Sequence, residues 1–167
     1  MRSAVASVLG LGAAWSSLYA ALAAGGHAPS SDRGLFVSAD SYYQVAIILI
    51  LPTVVLLWQI LGRVSCVVGY RLGGRCGYPN VLAALGPAWA LPILLLFIVP
   101  DFVVLGTLGF DALGPSMRYY APLVPLVILA ACTHRMAAAT SLSYGRAFIA
   151  VLAGLMAQSI PAALLIR

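Results

Sequence analysis

The sequence predicts an all-α integral membrane bundle of five transmembrane helices, with the amino terminus cytoplasmic and the carboxyl terminus exoplasmic. Three observations carry this reading. The 167 residues are 63% apolar and 8% charged, whereas an ordinary soluble domain is about a quarter charged. Five apolar runs, each near the roughly 20 residues needed to cross a hydrocarbon core of about 30 Å, take up nearly the whole chain. Threading these runs back and forth separates the aspartates from most of the arginines. A single transmembrane domain over 1–167 leaves no room for an aqueous catalytic module of on the order of 100 residues. The protein is therefore expected not to be an enzyme.

The first span is expected over residues 5–24, after Arg2. A signal peptide is the alternative, with cleavage near Ala21-Leu22-Ala23. A signal h-region is usually about 7 to 15 residues, and this run is longer and carries Trp15 and Tyr19, so a retained helix is expected. Ala6, Gly10 and Ala14 recur four apart and are read as helix-packing positions. They serve either the bundle itself or the docking of another subunit. The following loop, 25–40, holds His27, Pro29, Asp32 and Arg33 and belongs in water, because hydrocarbon cannot satisfy an irregular polar backbone.

Tyr42 and Tyr43 open the second span, 45–68, as interfacial aromatics do. Arg63 lies about 27 Å along it at 1.5 Å per residue, so its guanidinium can snorkel to the far surface, with Val64 to Tyr70 extending the helix towards the headgroups. The run from Arg71 to Asn80 reads as a tight basic turn in which glycine permits positive φ. The third span is expected over 81–99. Pro87 and Pro92 inside it each remove a backbone donor, so this helix is expected to be kinked and packed against neighbours. Asp101 to Arg118 is expected to be a loop. Within it Phe102 to Leu108 is too short to cross and reads as re-entrant or interfacial, with Gly106 and Gly109 arguing against a regular helix.

The fourth span is expected over 119–138, opening on Tyr119 and Tyr120. Thr140 to Gly145 forms a turn, and the fifth span, 147–166, sits between Arg146 and Arg167. With this threading Arg2, Arg63, Arg71, Arg75, Arg135 and Arg146 share the amino-terminal side. Arg33, Arg118, Arg167 and all four aspartates, Asp32, Asp40, Asp101 and Asp111, lie on the other. The positive-inside bias then places the amino terminus in the cytoplasm and the chain as a multi-pass protein of a cell membrane, of the bacterial inner-membrane type. The chain has no lysine and no glutamate. Its arginines form no basic stripe interleaved with aromatics, so nucleic acid is not expected as a partner.

Candidates for chemistry are few. Arg63, Arg71, Arg75, Arg135 and Arg146 are read as lipid-headgroup or interface residues. Cys66, Cys76 and Cys132 form no CxxC or Cys/His cluster and are read as structural, with a redox role for Cys66 and Cys76 as the alternative. His134 lies roughly 22 Å from Tyr119 at helical rise, near the inner interface. It is the one candidate ligand for a haem or pigment metal, but no other residue supports it, so neither a cofactor nor a metal is expected. Gln59 and Gln158 are read as interhelical hydrogen-bond partners. Every aspartate is placed in or beside a loop, which argues against ion-coupled transport.

Leu49 to Asp101 runs as an apolar helix, Arg71-Leu72-Gly73-Gly74-Arg75, then Leu85-Gly86-Pro87-Ala88, Leu91-Pro92 and Pro100-Asp101. That order, with the Leu142 to Ala147 turn before a last apolar helix, resembles the Yip family of membrane proteins, named for interaction with Ypt/Rab GTPases, in a bacterial-type form. The resemblance implies a five-span bundle with a cytoplasmic amino terminus. Family members that engage GTPases carry a soluble amino-terminal region, whereas Met1 to about Ala4 precede the first span here, so Rab-type GTPase binding is not expected. The expected function is a non-enzymatic multi-spanning scaffold or accessory subunit, packed against other subunits of a larger membrane complex in the lipid bilayer. The alternatives are a lipid- or small-molecule-handling protein and a pigment- or haem-associated subunit.

Overall fold

The structure, a computed structural model, describes residues 1–28 and 41–165. The described residues are helical with short connections. In chain order they form α1 (Arg2–Ala24), α2 (Tyr42–Arg71), α3 (Tyr78–Ile93), a π-helical turn (Leu94–Ile98), α4 (Val99–Thr107), a short 3-10 turn (Phe110–Ala112), α5 (Leu113–Tyr120), α6 (Leu123–Thr140) and α7 (Tyr144–Leu165). Five of these stretches are long and apolar enough to cross a membrane: Arg2–Ala24, Tyr42–Arg71, Tyr78–Thr107, Leu123–Thr140 and Tyr144–Ala163. The outward surface agrees with hydrocarbon surroundings. Ile48 is 75% exposed and Ile160 67%, and large apolar faces of this kind are not left open to water in soluble monomers. Most of the loop expected over 25–40, and Arg167, fall outside the described residues.

The buried face is continuous. α2 packs against α1, α3 and α7, and α3 also reaches α1 and α6. Close approaches fix the register of these helices. A Cβ at Gly86 would stand 3.0 Å from the Ala4 Cα, and one at Gly154 would stand 2.9 Å from the Leu61 carbonyl oxygen and 2.4 Å from Ser65 Oγ. Hydrogen bonds reinforce the packing. Trp58 Nε1 donates to the Leu82 carbonyl at 3.1 Å, and the Tyr78 hydroxyl donates to Gln59 Oε1. With its amide oriented to satisfy both partners, Gln158 donates to the Leu57 carbonyl at 3.2 Å and accepts from Trp89 Nε1 at 3.1 Å. One side chain on α7 thereby ties α2 and α3, as expected for an amide inside a span.

Four boundaries differ from the sequence expectation. The third span does not stop near residue 99: helix continues through Pro100 to Thr107. The reason is the π turn, in which the Val99 N–H reaches back five residues to the Leu94 carbonyl. Such a turn absorbs the donor gaps at Pro92 and Pro100 without breaking the helix. Phe102 to Leu108 is accordingly helical up to Thr107, neither a re-entrant loop nor an irregular one, and Gly106 is tolerated inside it. Tyr119 and Tyr120 do not open the fourth span. They end α5, and the chain turns at Ala121 and Pro122 before α6. The last turn is shorter than expected, because α7 already starts at Tyr144.

Asp101 moves furthest from its expected place. It lies in α4 and is buried, 1% exposed, where the sequence reading put it at a loop. Partner chemistry explains why helix persists there. The Tyr120 hydroxyl donates to Asp101 Oδ1, and a buried carboxylate is tolerable once hydrogen-bonded.

Candidate functional site

The two turns joining α2 to α3 and α6 to α7 meet at one end of the bundle. At the close of α2, Gly73 has φ +88°, a conformation glycine adopts without strain. The Gly73 N–H donates to the Tyr70 carbonyl and the Gly74 N–H to the Gly69 carbonyl, both at 3.0 Å. This is the double return bond that closes a helix with orphan carbonyls. Gly74 serves a different need. A Cβ there would come within 2.7 Å of Leu142 Cγ, so its bareness admits the buried Leu142 from the other turn. Each glycine of the Gly-Gly pair thus has its own task.

Two polar contacts fasten the turns. The Arg75 N–H donates to the Thr140 carbonyl at 3.0 Å, and Arg146 Nη1 donates to the Leu72 carbonyl at 3.2 Å. Arg71, Arg75 and Arg146 are therefore brought to the same end, and all three are exposed. Arg71 closes α2, where its charge also complements the negative end of the helix dipole. The two aspartates among the described residues, Asp101 and Asp111, belong to the opposite end, since Asp101 lies about 35 Å of helical rise from Tyr78.

Register places the other candidates. Gly62 faces Leu82 and Gly69 faces Met136, so His134 and Arg135 stand nearer the basic end than Arg63 does. Both are exposed. His134 Nδ1 is paired with the Tyr144 hydroxyl at 2.5 Å. Arg63 lies over the ring of Tyr78, 5.6 Å from its centroid, a cation–π contact that holds the guanidinium at the start of α3.

The packing positions divide. Pro87 and Pro92 are half-buried within α3. Ala6 and Gly10 are exposed, Ala14 is half-buried, and a Cβ at Gly10 would meet nothing within 4 Å. Packing of α1 inside the bundle is carried by Ala4, Val8, Leu11 and Gly12 instead. A four-residue spacing marks a face of a helix; it does not say which neighbour the face meets.

Beside His134, a groove of about 330 Å³ runs between α6 and α7, lined by Leu126, Leu129, Ala130, Thr133, Tyr144 and Phe148. Its lining offers shape with little reactivity. Among the described residues, Ser65 Oγ and Thr133 Oγ1 are buried hydroxyls without a hydrogen-bond partner, and no three His, Cys or Asp side chains come together as a metal site. Sequence reasoning missed the Asp101–Tyr120 pair. Its only signal was an acidic residue next to a continuing apolar run.

Comparison with protein-family models, with curated proteins and with solved structures finds no match for this chain. The likeness to the Yip family rests on its short motifs alone.

Proposed function

We propose that this protein is a non-enzymatic, multi-span membrane component whose Arg-rich end holds anionic lipid headgroups, with that end in the cytoplasm of a bacterial-type cell membrane. One observation carries the reading: Arg75 and Arg146 cross-link the two turns, so that Arg71, Arg75 and Arg146 share a single end to which the described aspartates do not belong. Clustered arginines at a membrane surface attract anionic lipid by about 1 kcal/mol each, and guanidinium forks match phosphate oxygens. The Arg71→Gln/Arg75→Gln double variant tests this, because both side chains are exposed and their loss leaves the core intact. Reconstituted into nanodiscs, the native protein should enrich phosphatidylglycerol over phosphatidylcholine, and the variant should lose most of that preference. Equal enrichment by both proteins would sink the proposal.

A second reading, an accessory subunit of a larger complex, is favoured by the outward face of α1. Ala6 and Gly10 lie open there, where small residues would let another helix approach closely. Extraction from native membranes in mild detergent separates the readings: a subunit co-migrates with partners, whereas a lone monomer contradicts this role.

A further inference from the structure

Ten residues apart in sequence, Cys66 and Cys76 meet at the basic end. Cys66 lies in α2, a little more than a turn before Arg71, and its Sγ donates to the Cys76 carbonyl at 3.6 Å. The neighbouring Cys66 is also one of the causes, after burial, that push the Cys76 thiol up. The surrounding backbone holds Cys76 in that position. Gly73 closes α2 in its left-handed conformation, and the Arg75 N–H is tied to the Thr140 carbonyl on the far turn. Gly69 leaves the space that the Cys76 sulfur uses, since a Cβ at Gly69 would come within 2.9 Å of it. Both cysteines are half-buried, so small reagents reach them, whereas Cys132 is fully buried.

We propose that Cys66 and Cys76 form a reversible disulfide that staples the end of α2 to the α2–α3 turn. The oxidant is a low-molecular-weight disulfide of the glutathione class. The thiolate of one cysteine attacks a sulfur of that disulfide, forming a mixed disulfide and expelling one small thiolate. The second cysteine, as thiolate, attacks the protein sulfur of the mixed disulfide, forming the Cys66–Cys76 bond and expelling the other small thiolate. The two protein thiols lose two protons and two electrons, and the small disulfide becomes two thiols. The staple acts on the segment that carries Arg71 and Arg75, yet it does not depend on what those arginines bind.

The experiment uses the full chain in detergent, incubated with oxidised glutathione, then alkylated and digested for mass spectrometry. The expected product is a Cys66–Cys76 cross-linked peptide lacking two hydrogens, with Cys132 still a free thiol that is alkylated once the chain is denatured, and with the Cys66 and Cys76 thiols restored by dithiothreitol. A Cys66→Ser variant should instead stop at a glutathione adduct on Cys76. A Cys132→Ser variant should give the same cross-link as the native chain. Stable glutathione adducts on the native protein, dimers between chains, or three unchanged thiols would each overturn the proposal.

Discussion

Tyr120, the last residue of α5, donates a hydrogen bond to the carboxylate of Asp101 in α4, nineteen positions earlier in the chain. The pair joins the end of the long third span to the short helix that follows it. Phe97 meets the Tyr120 ring edge-on at 6.3 Å, and Trp15 of α1 meets Phe97 at 6.0 Å. An aromatic chain thereby connects α1 to the carboxylate's only described side-chain partner. Removing that partner while leaving the acid in place should be costly, because an unsatisfied buried group loses about 1–3 kcal/mol. Tyr120→Phe is expected to lower the thermal unfolding midpoint in detergent, and adding Asp101→Leu to it should recover part of the loss. A midpoint unchanged by Tyr120→Phe would show that the bond contributes nothing.

Alkaline pH should act on the same pair. Burial, followed by the hydrogen bond and charge of Asp101, pushes the Tyr120 hydroxyl above its ordinary value near 10. The folded chain then holds this proton more tightly than the unfolded chain does. The stabilisation is complete below about pH 10 and is lost as pH rises beyond it. Unfolding midpoints measured from pH 8 to 11 should fall more steeply for the native protein than for Tyr120→Phe. Parallel curves would contradict the coupling.

Gly154→Ala should force α7 away from α2, because the added carbon would stand 2.9 Å from the Leu61 backbone carbonyl, which cannot swing aside as the Ser65 and Leu61 side chains beside it can. Overpacking of this kind costs about 1–3 kcal/mol. Gly10→Ala, facing open space, should shift stability by less than about 0.5 kcal/mol. Comparing the two variants by thermal denaturation checks the register directly. If both behave alike, the α2–α7 contact is not as close as the structure places it.

Gln158→Leu would leave both the Leu57 carbonyl and Trp89 Nε1 without the amide that now joins them. Interhelical hydrogen bonds in membranes are worth about 0.6 to 2 kcal/mol, so a loss in that range is expected from reversible unfolding in mixed micelles. Trp89→Phe in the Gln158→Leu background should add less than it does alone, since the two changes remove one shared bond.

Cys76 should alkylate slowly at neutral pH. Burial, and then the neighbouring Cys66, pushes its thiol up, so little thiolate is present to react. In a Cys66→Ser chain, maleimide labelling of Cys76 should accelerate as pH rises through 8 and 9, while Cys132 stays unlabelled. Rapid labelling at pH 7 would show that the thiol is less enclosed than the structure indicates.

The five spans were legible from composition, because a run of about 20 apolar residues satisfies its backbone in hydrocarbon as a helix and the chain has few other residues to offer. The bareness of Gly73 and Gly74 was legible as a tight turn, and Gln158 as a helix tie. Where the third span ends was not, because Pro100 and Asp101 each carry a local signal to stop. A π turn and a tyrosine nineteen residues away override those signals, and neither is visible in a window of neighbouring residues.

The sequence by itself determined an all-helical chain with five membrane-length helices, since burying backbone polar groups in an apolar solvent leaves no other arrangement for such runs. It also determined that Arg71 and Arg75 lie at the turn that follows the second span. Tertiary structure alone decided which faces meet: Ala4 rather than Ala6 against the bundle, Leu142 into the space over Gly74, Cys66 beside Cys76, and Asp101 beneath Tyr120. Those choices depend on register between helices, and register is set by the summed fit of side chains that no single segment contains.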